Sequence, residues 1–152
     1  MQKFLNIFVV MVVIAGVGCA TKTGTPVEFS KVCDMENDKK YIEVSGVLSD
    51  RGSVFCSNTG GGPVRCGFTL LDEVNSEKKG FSADIEEGSG ADSVEKLASG
   101  YKKEDVKIHT DNGEVIGLGQ KVKLVGQINV AKNTSGVGDD VCYLTVTKID
   151  KQ

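Results

Sequence analysis

The chain has one histidine in 152 residues, no Cys-x-x-Cys pair and no surplus of basic charge, and each shortage removes a class of function. His109, in VKIHTDNG, lacks the convergent partners that general-base catalysis or metal ligation requires, so its expected role is that of a polar strand residue beside a turn. G-x-S-x-G, H-E-x-x-H and a phosphate loop ending in Lys-Ser/Thr are absent, and Gly60, Gly61 and Gly62 do not sit between a strand and a helix. Glu86-Glu87 and Asp139-Asp140 lack the alternating oxygen ligands of a calcium loop, and read as solvated turns. The expectation is a protein that is not an enzyme and carries no cofactor and no metal. Lys and Arg number 18 against 21 Asp and Glu, a balance that offers no electrostatic pull towards polyphosphate.

Long apolar runs are also scarce, and the only one opens the chain: MQKFLNIFVVMVVIAGVGC. Lys3 gives a basic start, Phe4 to Val17 form an apolar stretch broken only by Asn6, and Gly16, Val17 and Gly18 supply a slim backbone for a peptidase. Spanning a bilayer takes about 20 apolar residues across about 30 Å of hydrocarbon, so this run is a processing signal and not a transmembrane helix. Val17-Gly18-Cys19 resembles the bacterial lipobox, departing from it at Gly16, where a branched residue is usual. The resemblance implies removal of residues 1–18, a diacylglyceryl thioether and an N-acyl chain such as palmitate on Cys19, and a lipid-anchored place in the bacterial cell envelope. Ala20 in place of Asp implies the outer membrane. Several acyl chains, at about 0.8 kcal/mol per buried methylene, hold far more firmly than one.

The mature chain, Cys19 to Gln152, carries 17 basic against 21 acidic residues once Lys3 is gone, and its length suits one compact domain. Residues 19–28 read as the acylated cysteine and a short polar tether, and residues 29–152 as the folded domain. With Cys19 set aside, Cys33, Cys56, Cys66 and Cys142 make an even set in an exported chain, which indicates two disulfides. Of the three possible pairings, the expected one joins Cys56 to Cys66 around the glycine-rich SNTGGGPVR and Cys33 to Cys142 across the domain.

Within the domain, YIEVSGVLS (41–49), 64–71, a shorter stretch through Phe81, Ala83 and Ile85, KVKLVGQINV (121–130) and VCYLTVTKI (141–149) alternate with the period of two that marks half-buried strands. Residues 50–63 read as a long loop rich in breakers, and 106–115 as a small hairpin around Asp111-Asn112-Gly113. ADSVEKLASGY places Val94, Leu97 and Ala98 at helical spacing after an Asp92 or Ser93 cap, predicting one helix over 91–99. Gly46 and Gly126 fall at matching inward positions of the first and fourth long strands, where a small barrel turns its corners. VSGVL and LVGQI are similar to the strands of OB-fold families, so the expected class is mainly β: a five-stranded OB-fold-like Greek-key barrel with one short helix between strands 3 and 4.

That fold implies surface binding and leaves the ligand open. The leading expectation is a membrane-anchored periplasmic binding barrel for a protein, peptide or glycan partner, with loops 50–63 and 131–140 as contact elements. The alternative is an oligonucleotide-binding surface lipoprotein. Its support is slight, because the outward face of the second strand offers Arg65, Gly67, Thr69 and Leu71, joined only by Lys121, Lys123, Tyr41 and Tyr143 on other strands.

Overall fold

A computed structural model describes residues 23–58, 60–73, 80–134 and 141–152; the signal, Cys19, Ala20 and the acidic pair Asp139-Asp140 lie outside the described residues. Ten strands follow in chain order: β1 (Thr25–Pro26), β2 (Tyr41–Ser49), β3 (Phe55–Ser57), β4 (Arg65–Leu71), β5 (Phe81–Glu87), β6 (Ser93–Val94), β7 (Ile108–His109), β8 (Val115–Ile116), β9 (Lys121–Ala131) and β10 (Val141–Lys151). Five of them close a barrel. β2 pairs with β4 and β9, β4 with β5, β5 in parallel with β10, and β10 with β9. The chain is therefore a five-stranded Greek-key barrel of OB-fold type, extended by the β6–β8 segment on one side and the short β3 on the other.

Alternation in the sequence becomes alternation in space. Ile42, Val44 and Leu48 from β2, Cys66, Phe68 and Leu70 from β4, and Leu124 and Ile128 from β9 fill the interior, with Leu144 and Ile149 from β10; each large side chain so buried contributes about 1.5–3 kcal/mol. In β10 the inward phase slips between Val146 and Ile149, because the register shifts between Val146 and Lys148. This bulge turns Thr147 outward, where its hydroxyl donates to the Val125 carbonyl (3.2 Å), and returns Ile149 to the core. Gly46 and Gly126 are two points where backbones approach closely. A Cβ on Gly46 would stand 2.6 Å from the Leu71 carbonyl oxygen, and one on Gly126 would overlap that of Thr145.

The expected helix over 91–99 is a correction. Ser93–Val94 form a strand parallel to Glu86–Glu87, and Glu95 N–H donates to the Lys107 carbonyl, so the backbone donors are spent on neighbouring strands. Asp92 does not cap a helix; its Oδ1 accepts from Ile149 N–H at 2.7 Å. The helical element between strands 3 and 4 of the barrel is only a 3-10 turn, Lys103–Asp105. A second correction concerns 50–63, read as one loop: Phe55–Ser57 pairs with β4 inside it. The expected hairpin is present as β7 and β8, and the charged stretch before β2 forms two 3-10 turns, Phe29–Lys31 and Met35–Asn37. Among the described residues no helix is long and apolar enough to cross a membrane.

Candidate functional site

Cysteine chemistry shapes the outer wall. The disulfides join Cys33 to Cys142 and Cys56 to Cys66. Cys56 and Cys66 stand directly opposite on β3 and β4, their Cα atoms 3.9 Å apart. Their sulfurs lie near a Glu87 carboxylate, yet bonded to each other they offer no thiolate to a metal. Just before this staple, Val54 N–H donates to the Tyr101 hydroxyl at 2.6 Å. Two fastenings thus hold β3 on the barrel, and its first residue is set beside Gly67.

A transverse row follows from the registers. Phe55 faces Gly67, Gly67 faces Asp84, Asp84 faces Thr145 and Thr145 faces Gln127, with all five outside the core. The one missing side chain in this row makes a groove of ≈ 420 Å³ whose floor is Gly67. Phe55, 77% exposed, and Tyr143, 42% exposed, present rings to it, and Pro63 with Gly62 from the 50–63 segment closes one margin. A Cβ on Gly67 would meet Asp84 Oδ1 at 3.4 Å and Ser82 Oγ at 3.6 Å, ordinary contacts, so the glycine opens the groove without being demanded by packing.

Two charged side chains stand over that floor. Arg65 Nη2 donates to Glu86 Oε2 at 3.1 Å, while its Nη1 is buried with no hydrogen-bond partner. An unmet donor of this kind costs about 1–3 kcal/mol, in a side chain that is otherwise partly exposed (30%) and lines the groove. Asp84 Oδ1 accepts from the Ser82 hydroxyl at 3.1 Å. Burial pushes the Asp84 carboxyl above its ordinary value of 3.8, with the Ser82 hydrogen bond and the Arg65 charge acting the other way. Burial thus works against the ionised form; a carboxylate kept at such a cost is commonly kept for binding or chemistry.

The sign of that shift gives a test. A folded-state value above the unfolded one means that the associated stability is complete below the ordinary carboxylate value and is lost as pH rises through the raised value. Asp84→Asn therefore melts higher than the parent protein near neutral pH, and the gain shrinks to nothing as pH falls below the ordinary carboxylate value; parallel thermal melts across pH read both limbs.

Several charges in the other depressions are already matched. A second cleft, ≈ 500 Å³, lies between β2 and the 103–119 segment, but its buried Asp50 faces Lys103 Nζ at 3.5 Å and accepts from Gly52 N–H. His109 contacts Glu95 Oε1 at 3.1 Å, with Lys107 3.8 Å from the same carboxylate, an arrangement that fastens the 93–95 segment to β7. Lys121 meets Glu73 at 2.9 Å, and Lys123 meets Glu43 at 3.4 Å and Asp150 at 3.7 Å. The lysines and tyrosines that the sequence offered to nucleic acid are therefore not gathered: both lysines are paired with carboxylates, and of the tyrosines only Tyr143 lines the groove. Of the proposed contact loops, 50–63 supplies Phe55, Ser57, Gly62 and Pro63 to it, and 135–140 lies outside the described residues.

The chain matches no family model, no curated protein and no solved structure.

Proposed function

We propose that this protein is an acylated, non-catalytic binding barrel of the bacterial envelope, which engages a protein, peptide or glycan partner through the groove over Gly67. One observation carries the reading: an open groove at the centre of the wall, flanked by two exposed rings and by a guanidinium with an unmet donor. Rings held out to solvent forgo burial worth a few kcal/mol, and an unmet donor costs more, so a partner that covers both recovers energy that folding leaves unused. Charge argues against the oligonucleotide alternative, because Asp84 and Glu86 outnumber Arg65 along the wall and phosphate chains favour clustered cations.

The tether supports the anchored half. β1 lies parallel to β2 with Thr25 opposite Ile42, Val27 N–H donates to the Glu43 carbonyl, and a Cβ on Gly24 would stand 2.5 Å from the Ile42 backbone. The tether is thus captured from Gly24 onward. Followed back along β1, Thr25 lies towards the end of the barrel that bears Ala131 and Val141.

Intact-mass measurement of the protein from cell membranes tests the anchor. The expected species begins at Cys19 with a diacylglyceryl group and an added acyl chain, and Cys19→Ser leaves the membrane fraction. A mature chain of unmodified mass would refute the anchor. For the groove, Gly67→Leu is expected to abolish partner capture while leaving the melting temperature within a few degrees of the parent.

A further inference from the structure

We infer that the occupant of this groove is a neutral oligosaccharide, bound with its apolar ring faces against Phe55 and Tyr143 and its hydroxyls on Asp84, Arg65 and Thr145. The inference rests on the groove reading above and names the ligand class for it.

Three features of the wall select that chemistry. The floor strands have no free backbone: β4 is paired on both sides by β3 and β5, β5 by β4 and β10, and β10 by β5 and β9. A peptide lying across Gly67 therefore finds no ladder to extend on the floor, and strand addition is confined to the outer edge of the three-residue β3 at the groove's side. The groove's large apolar groups are Phe55, Tyr143 and Pro63, set beside short hydroxyls, one carboxylate and one guanidinium. Finally, the groove's one guanidinium is offset by Asp84 and already paired with Glu86 outside the lining, so no net positive charge draws a polyanion.

What remains is a surface that offers acceptors and donors in equal measure beside two flat apolar faces. Ionised Asp84 accepts only, the Arg65 guanidinium donates only, and the Ser57 and Thr145 hydroxyls do both. A sugar presents hydroxyls that can donate to the first, accept from the second and exchange either way with the others. Its C–H faces supply the contact that exposed aromatic rings favour. Phe55 and Tyr143 stand on strands separated by three pairings, β3 to β4 to β5 to β10, an arc of about 14 Å round the wall at ordinary strand spacing. That reach matches an oligosaccharide better than a single sugar. Desolvation of Asp84 strengthens each hydrogen bond that its carboxylate accepts from the ligand.

The test is titration of the mature acylated protein, in a detergent without a sugar headgroup, with chitotetraose, cellotetraose and maltotetraose, alongside a ten-residue oligothymidylate and an uncharged tetrapeptide. Binding is read by calorimetry and by amide shifts at Gly67, Asp84 and Thr145. The expected result is saturable binding of at least one of the three sugars, weakened about tenfold or more, ~1.4 kcal/mol, by Phe55→Ala and by Gly67→Leu. Both variants sit at exposed or open positions, and retained melting curves separate lost binding from lost folding. Absence of binding by all three sugars at millimolar concentration would overturn the inference, as would sugar binding that ignores both variants. Binding of the oligothymidylate or peptide, with amide shifts in the groove and no sugar bound, would overturn the ligand class while leaving the groove reading intact.

Discussion

Gly126→Ala is expected to unfold the barrel or to cost about 3 kcal/mol or more in urea denaturation, although it adds a single methyl group. The new Cβ would overlap the Thr145 carbonyl oxygen and press within 3.0 Å of Val146 Cα. Neither atom belongs to a side chain that can rotate away, and both lie on β10, whose pairing with β9 is the longest in the protein. Relief would require the two strands to part at Ile42, Gly126 and Val146, where β2, β9 and β10 stand in register. Gly67→Ala is the matched control. Its Cβ finds only ordinary contacts, and its stability should stay within about 0.5 kcal/mol of the parent, as for surface substitutions generally.

Removal of the Cys33–Cys142 disulfide has the second large effect. It links residues 109 apart, whereas Cys56–Cys66 links residues 10 apart, so the chain-entropy model assigns about 4.7 kcal/mol to the first and about 2.7 to the second. Domains of this size are stable by about 5–15 kcal/mol in all. The Cys33→Ala/Cys142→Ala variant should therefore be largely unfolded or lose most of its resistance to urea. The Cys56→Ala/Cys66→Ala variant should remain folded and instead loosen β3, because the staple that sets Phe55 beside Gly67 is gone. Equal losses from the two variants, or a larger one from the second, would contradict the assignment.

The barrel was legible in the sequence because its five strands bury one face, and a period of two records that directly. The glycines at 46 and 126 were legible for a related reason: a residue without a side chain at an inward position has to be explained by a close approach. The segment over 91–99 was misleading. Val94, Leu97 and Ala98 have helical spacing, but two-residue strands are too short to show a period, and the hydrogen bonds of Val94 and Glu95 are decided by β5 and β7, far away in sequence. Propensity loses to tertiary pairing there.

The groove was harder to read. Arg65 and Gly67 stood out as outward residues of the second strand, and the 50–63 segment was a candidate contact element. Phe55 lay among breakers, where nothing local showed that it would join a strand; the expected Cys56–Cys66 bridge was the one signal, since a cross-strand staple brings its neighbours into register. Asp84 was not singled out in the sequence, where it is one polar residue of a short alternating strand. Its distinction comes from Ser82, Arg65 and the burial imposed by strands on either side, which no spacing along the chain reveals.

The central claim is that an anchored barrel works through the groove over Gly67, and photocrosslinking from that groove in intact cells tests it most directly. A photoreactive phenylalanine analogue at position 55 should form adducts, the same analogue at exposed Val115 on β8 should not, and adducts from position 55 should disappear when Gly67→Leu fills the floor. No adduct at 55, or adducts that persist unchanged with Gly67→Leu in a normally folded protein, would contradict the account.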